Sequence, residues 1–279
     1  MTRQILADAL NLHDGGDGLI AQLSADFSNA PQAMPAEKGA PFGGLMAALA
    51  AGAMRQGLNL APPLRSLTVQ YLAAARFEAA TFRPTGTRLG RNVAYASVIG
   101  GQEGRPAIQA LGTFGRDVEG PILTPLAAGV ASFKDLDTLP LDERFGPWFT
   151  RYIEHRFIDG PKLFGQNEGR SPELGCWMRT TDGAPLDEMR LLFLLDGLYP
   201  TYWTALPGFP SLSATVDLRA DLLSELTPET SPDGWAYFHF TSQDVGGGWA
   251  VEDGVAYAPG GAPLALVRQR RKLAPSRPG

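Results

Sequence analysis

The sequence predicts an α+β protein made of two units of one design, each a long helix wrapped by an antiparallel sheet. Three observations predict it. An Ala-rich segment after Pro41 is apolar on nearly every side, four strand-like stretches follow it, and the same order of one helix and four strands recurs in the second half of the chain.

In the first half, GAPFGGLMAALAAGAMRQGL reads as a Gly-Gly entry into a helix without a polar face, which belongs inside a fold. Strands are predicted at about Leu64 to Ala74, Glu78 to Gly86, Arg91 to Gly100 and Pro106 to Gly115, divided by Gly, Pro and charged turn signals. A stretch rich in Pro, Leu and Asp, from about Asp117 to Pro147, has no sustained period and reads as a crossing between units. The expected organisation is therefore an N-terminal unit over 1–116, a linker over 117–147 and a C-terminal unit over 148–279.

In the second half, a helix is predicted from about Pro185 to Trp203, carrying MRLLFLLDGLYPTYW. Strands follow at about Ser211 to Arg219, Trp235 to Ser242, Gly248 to Tyr257 and Leu264 to Leu273. SLTVQYL, with Thr68, lies against SATVDLR, with Thr215, and the turn at Gly104 lies against that at Gly261. A repeat of roughly 140 residues is too long for a solenoid and points to fused copies of one domain. Two alternatives stay open: chance similarity of two α+β halves, or one larger α+β domain.

With 279 residues, 44% hydrophobic and 19% charged, the chain is long enough to bury a sizeable core and is not of disordered composition. The longest apolar runs, Gly43 to Met54 and Met189 to Leu195, are shorter than the roughly 20 residues of a membrane span, so no membrane partner is expected. The acidic N-terminal stretch does not resemble a secretory signal, and the chain reads as cytoplasmic. One cysteine, Cys176, and three scattered histidines, His13, His155 and His239, make a disulfide, a cysteine zinc cluster or a His-rich metal site unexpected, and no cofactor is called for. A net charge of -5 gives no support to a nucleic-acid partner. GxSxG, Walker and HExxH motifs are all missing.

Three polar residues are singled out, two where burial is expected and one, Thr215, on the polar face of a strand. Asp196 ends an apolar run, and a carboxylate there is either a solvated helix-end group or one held at a cleft. Thr215 alternates with Ala214 and Val216 on a strand, either as an ordinary β-former or as a cleft hydroxyl. Gln269 shares the face of Ala265, Val267 and Leu273, whereas Arg268, Arg270 and Lys272 alternate onto the other, and a Gln on an apolar face needs partners.

At PFGGLMAALA, LGRNV, LLD ending in Asp196, SATVDL and LVRQRRKL the chain resembles the type II acyl-CoA thioesterases and their thioesterase-like relatives. The resemblance implies a double hot-dog fold and hydrolysis of acyl-CoA by a water bound and polarised between Asp196, Thr215 and Gln269. The helix entry at Gly43 and Gly44 would then offer backbone N–H groups to the developing oxyanion, unless these are packing glycines, and Arg268, Arg270 and Arg271 would meet the CoA phosphates or form a solvated basic strand end. The first half has Thr68 but no acid on its helix, and Gly112 at the place of Gln269. The basic end of the last strand departs from the family pattern. A non-catalytic acyl-CoA or acyl-carrier binding module is the alternative, and a hot-dog dehydratase would call for a catalytic His. A homo-oligomer is expected, because such a sheet commonly continues across a partner.

Overall fold

A computed structural model of the chain describes residues 5–120, 123, 132–139, 141–158, 171–206 and 213–274. Most of the 117–147 crossing is included, but 121–122, 124–131 and 140 lie outside the described residues, as do Ser211 and Leu212 at the expected start of a strand.

Among the described residues twelve strands form one antiparallel sheet. The first half contributes β1 (His13–Asp14), β2 (Leu19–Gln22), β3 (Leu64–Tyr71), β4 (Ala79–Leu89), β5 (Val93–Gln102) and β6 (Arg105–Gly115). The second contributes β7 (Ile153–Phe157), β8 (Glu173–Thr180), β9 (Ser213–Leu222), β10 (Ala236–Gly246), β11 (Trp249–Tyr257) and β12 (Pro263–Leu273). Their order across the sheet is β1-β2-β4-β5-β6-β3-β9-β12-β11-β10-β8-β7. The four strands expected of each half are present, and each half adds two more at its outer edge. The halves join at β3 and β9, where Leu67 stands opposite Ala220 and Val69 opposite Leu218, all four buried.

Among the described residues four α-helices accompany the sheet: α1 (Leu6–Ala9), α2 (Gly43–Gly57), α3 (Glu188–Leu195) and α4 (Tyr202–Ala205). Every residue of α2 from Gly44 to Met54 is buried, which is what its apolar surface requires. It packs on β4, β5 and β6 and on α3. Burial of one side chain such as Leu45, Leu49 or Met54 contributes about 1.5–3 kcal/mol. The second helix is shorter than expected. Asp187 caps its start, with a side chain that accepts from the Arg190 N–H, and it stops at Leu195 with Asp196 as its C-cap. Gly197 and Pro200 break the run that the apolar pattern alone would carry on to Trp203, because glycine lowers helix propensity and proline disfavours the helical conformation before it.

Glu188, in the first turn of α3, ties the halves together. One carboxylate oxygen accepts from the Leu64 backbone N–H at 2.8 Å, and the other meets Arg55 at 2.5 Å. Replacement of Glu188 by Ala strips a partly buried amide of its partner, and should lower stability by about 1–3 kcal/mol in denaturant unfolding.

Candidate active site

The sequence alternation along β9 places Thr215 with Asp217 and Arg219. The structure breaks that alternation with a bulge. Asp217 stands opposite Arg270 but Thr215 stands opposite Arg271, so Val216 is an extra residue. A period of two then changes phase. Leu218 and Thr215 consequently share the inner face, and Asp217 and Arg219 stay on the outer one. β6 and β3 repeat the device in the first half, with Leu64 opposite Phe114, Ser66 opposite Thr113 and Arg65 as the extra residue. Gly112 and Gln269 stand opposite Leu67 and Leu218 respectively, so two steps beyond them Phe114 and Leu64 occupy the places of Arg271 and Thr215. Thr68 is therefore not the counterpart of Thr215, despite the shared local sequence. It faces Leu111, and the first half fills its own version of the site with apolar side chains.

A cavity of about 390 Å³ opens between the halves, lined by Phe42, Gly43, Tyr71, Phe149, Tyr199, Trp203, Asp196, Thr215 and Arg271 among others. Asp196 is 8% exposed. Its Oδ1 accepts from Thr215 Oγ1 at 3.4 Å and lies 3.9 Å from the Arg271 guanidinium. The Gly44 backbone N–H also donates to it. The N-terminus of α2 has no side-chain cap of its own, and a carboxylate from the other half supplies the negative group that such an end favours. Burial raises the Asp196 pKa to about 6, against the lowering pull of Arg271 and of the Thr215 hydrogen bond; Glu252 adds to the rise and the Gly44 N–H opposes it.

Gly43 and Gly44 differ in use. A Cβ at Gly43 would lie 2.6 Å from Asp196 Oδ2, so a side chain there would displace the carboxylate. A Cβ at Gly44 would meet the Phe193 carbonyl oxygen at 2.5 Å. Tyr71 Oη donates to the Gly43 carbonyl at 3.0 Å, and burial together with the negative charge of Asp196 holds its pKa well above the ordinary phenol value.

Gln269 is buried, but its amide is committed to the protein. Its Nε2 donates to the Leu195 carbonyl at the end of α3 at 3.0 Å, and its Oε1 accepts from Arg271 Nη2 at 2.6 Å. It holds the helix end that carries Asp196. Of the three arginines considered for phosphate, Arg268 and Arg270 are exposed on the outer face, against Asp253 at 2.6 Å and Asp217 at 3.9 Å. Arg271 is 8% exposed and turned inward, with Nε 2.6 Å from Glu252 Oε2. A guanidinium so placed faces the cavity and is paired with Glu252, unlike Arg268 and Arg270 on the outer face. Its sequence signal was parity, since it lies two residues beyond Gln269 and hence on the same strand face. Glu252 gives a similar signal, an acid in step with Ala250 on β11, and it too is buried. The lone histidine near the site, His155, is buried beside the Gly197 backbone, and desolvation lowers its pKa to about 4.

A large antiparallel sheet packed on a buried helix is the architecture of the solved hot-dog proteins that the chain resembles. The chain is similar to a hot-dog-fold protein of unknown function from Alicyclobacillus acidocaldarius, with a TM-score of 0.84 and 21% identity over 96% of this chain and 97% of that one. It is also similar to an acyl-CoA thioesterase II from Mycobacterium marinum, with a TM-score of 0.74 and 17% identity over 97% and 98% of the two chains. No curated protein matches it in sequence. Residues 30–115 match the family model of the acyl-CoA thioesterase N-terminal domain and residues 133–270 that of the C-terminal domain, and the chain belongs to the acyl-CoA thioesterase family.

Proposed function

We propose that the protein hydrolyses acyl-CoA thioesters to the free acid and CoA, in a cleft between two fused hot-dog units. The observation that carries this reading is Asp196. It is a buried carboxylate with its pKa near 6, bonded to Thr215 and to an N–H of α2, at the wall of an apolar cavity of about 390 Å³. A general base works best with a pKa near the operating pH, and burial brings Asp196 there.

In this mechanism Asp196 takes a proton from a water held beside it by Thr215, and the water oxygen bonds to the thioester carbonyl carbon. The carbonyl oxygen becomes an oxyanion. Gly43, which lines the cavity at the start of α2, offers it a backbone N–H, whereas the Gly44 N–H is already used on Asp196. Collapse breaks the carbon–sulfur bond, and the departing CoA thiolate receives the proton from Asp196. Neither a covalent enzyme intermediate nor a cofactor enters this scheme. Gln269 serves it by fixing the Leu195 carbonyl and Arg271. Aromatic walls from Phe42, Phe149, Tyr199 and Trp203 suit an acyl group. CoA phosphates at Arg268 and Arg270 would have to displace Asp253 and Asp217.

The test is CoA release across acyl-CoAs from short to long, straight and aromatic, followed by thiol detection. Turnover of at least one class is expected. Tight CoA binding with no turnover of any of them would overturn hydrolysis in favour of a binding module. Light scattering should give a mass above that of one chain, as expected of a homo-oligomer.

A further inference from the structure

Arg271 takes no part in holding the water between Asp196 and Thr215, yet it is the one cationic side chain that lines the cavity among the described residues. Two carboxylates flank it. Glu252 takes its Nε at 2.6 Å, and Asp196 Oδ1 lies 3.9 Å from its Nη2, which also donates to Gln269 at 2.6 Å. Glu252 is in turn fixed by α4 and its approach: its Oε1 accepts from the Thr201 N–H at 2.5 Å and from Thr201 Oγ1 at 2.9 Å, and Thr201 Oγ1 lies 2.7 Å from Ser242 Oγ. Glu252 is 1% exposed and Arg271 8%, so little solvent screens them from Asp196. An acid with a buried cation on one side and a second buried acid behind that cation has its charge governed by both.

We infer that Arg271 and Glu252 are positioning residues that set the protonation of Asp196 in opposite directions, Arg271 holding it ionised and Glu252 weakening that hold by sharing the guanidinium. The other groups around Asp196 cannot take this role. α2 presents only the Gly43 and Gly44 backbone, β9 presents the neutral Thr215, and Tyr71 on β3 stays a phenol because burial raises its pKa. Tyr202 on α4 is likewise pushed up by burial, and His155 on β7, beside Gly197, is neutral above about pH 4. The electrostatic contributions at Asp196 carry the same signs, lowering from Arg271 and raising from Glu252.

The experiment compares Arg271→Met, Arg271→Lys and Glu252→Gln with the unaltered protein by two readouts. The first is the pH profile of kcat/KM for acyl-CoA hydrolysis, an arm that rests on the hydrolytic function proposed above. The second is titration of the Asp196 carboxyl carbon by NMR in aspartate-labelled protein, with Asp196→Asn to assign the signal, and it needs no turnover. Arg271→Met should move the acid limb and the NMR midpoint up by about 1–3 pH units, the usual influence of an opposite charge at this range. Arg271→Lys should stay closer to the unaltered protein. Glu252→Gln should move both readouts down, because the guanidinium is then left to Asp196. A purely structural role predicts no such opposition of sign. Shifts in the same direction, or a midpoint that stays still in both charge-removing variants, overturn the inference. If Arg271→Met does not fold, Glu252→Gln decides alone, with a downward shift in support and an upward or null shift against. A protein that turns over no acyl-CoA but shows the opposed NMR shifts would sink the hydrolase reading and leave this one standing.

Discussion

Asp196→Asn should lose acyl-CoA turnover by about 100-fold to 10,000-fold, the range typical of a removed general base, and should at the same time become more stable at pH 7. The stability gain follows from the sign of the pKa change. In the fold the Asp196 pKa is raised from 3.8 to about 6, chiefly by burial. The folded state thus holds the proton more tightly than the unfolded chain, and stability falls as pH rises between the two values. Above both, the cost is fully present. Two pKa units correspond to about 3 kcal/mol for a side chain only 7% exposed. An asparagine carries no charge, so it removes that cost and can still accept from Thr215 and Gly44. Thermal or denaturant unfolding at pH 7 should show the variant more stable, and the decline of stability between about pH 4 and pH 6 should flatten. Full turnover in the variant, or a loss of stability where a gain is expected, would count against the buried base.

Gly43→Ala should abolish most turnover while the protein stays folded. The added methyl would lie 2.6 Å from Asp196 Oδ2, and the mobile end of that side chain must yield. Displacement of a reacting group by about 1 Å can cost on the order of 100-fold in rate. Stability should hold or rise slightly, since Ala favours a helix over Gly at a position that has no positive φ to preserve. Gly44→Ala gives the contrast. Its methyl would meet the Phe193 carbonyl at 2.5 Å, and backbone cannot swing aside as a carboxylate can. That variant should lose stability by circular dichroism melting, and any loss of rate should follow the unfolded fraction. If Gly43→Ala retains the kcat of the unaltered protein, close approach of α2 to the acid is not needed for the reaction.

Much of the scaffold was legible because burial writes itself into composition. An all-apolar helix at Gly43–Gly57 and alternating strands at β3 to β6 and β9 to β12 follow from residue periodicity. Periodicity does not mark the edge strands, since β1 and β2 are only two and four residues long and β8, ELGCWMRT, lacks clean alternation. Hydrophobicity alone puts the end of the second helix too late, because the apolar run continues past Gly197 and Pro200 and its pattern does not register loss of backbone conformation. Asp196 and Gln269 could be singled out as polar groups where apolar ones were expected, and both are buried.

The sequence by itself determined that Asp196 and Gln269 are polar exceptions in apolar surroundings and which family the chain resembles, because both depend on residue types in order along the chain. Only the tertiary structure decided what those exceptions do to one another. The bulge at Val216 brings Thr215 and Arg271 onto the same face, and no count of alternating residues contains an extra residue. The contact of Asp196 with α2 comes from the other half of the chain, and the Glu252–Arg271 pair lies on neighbouring strands. A charge state near pH 6 depends on distance and exclusion of water, which residue order alone does not carry.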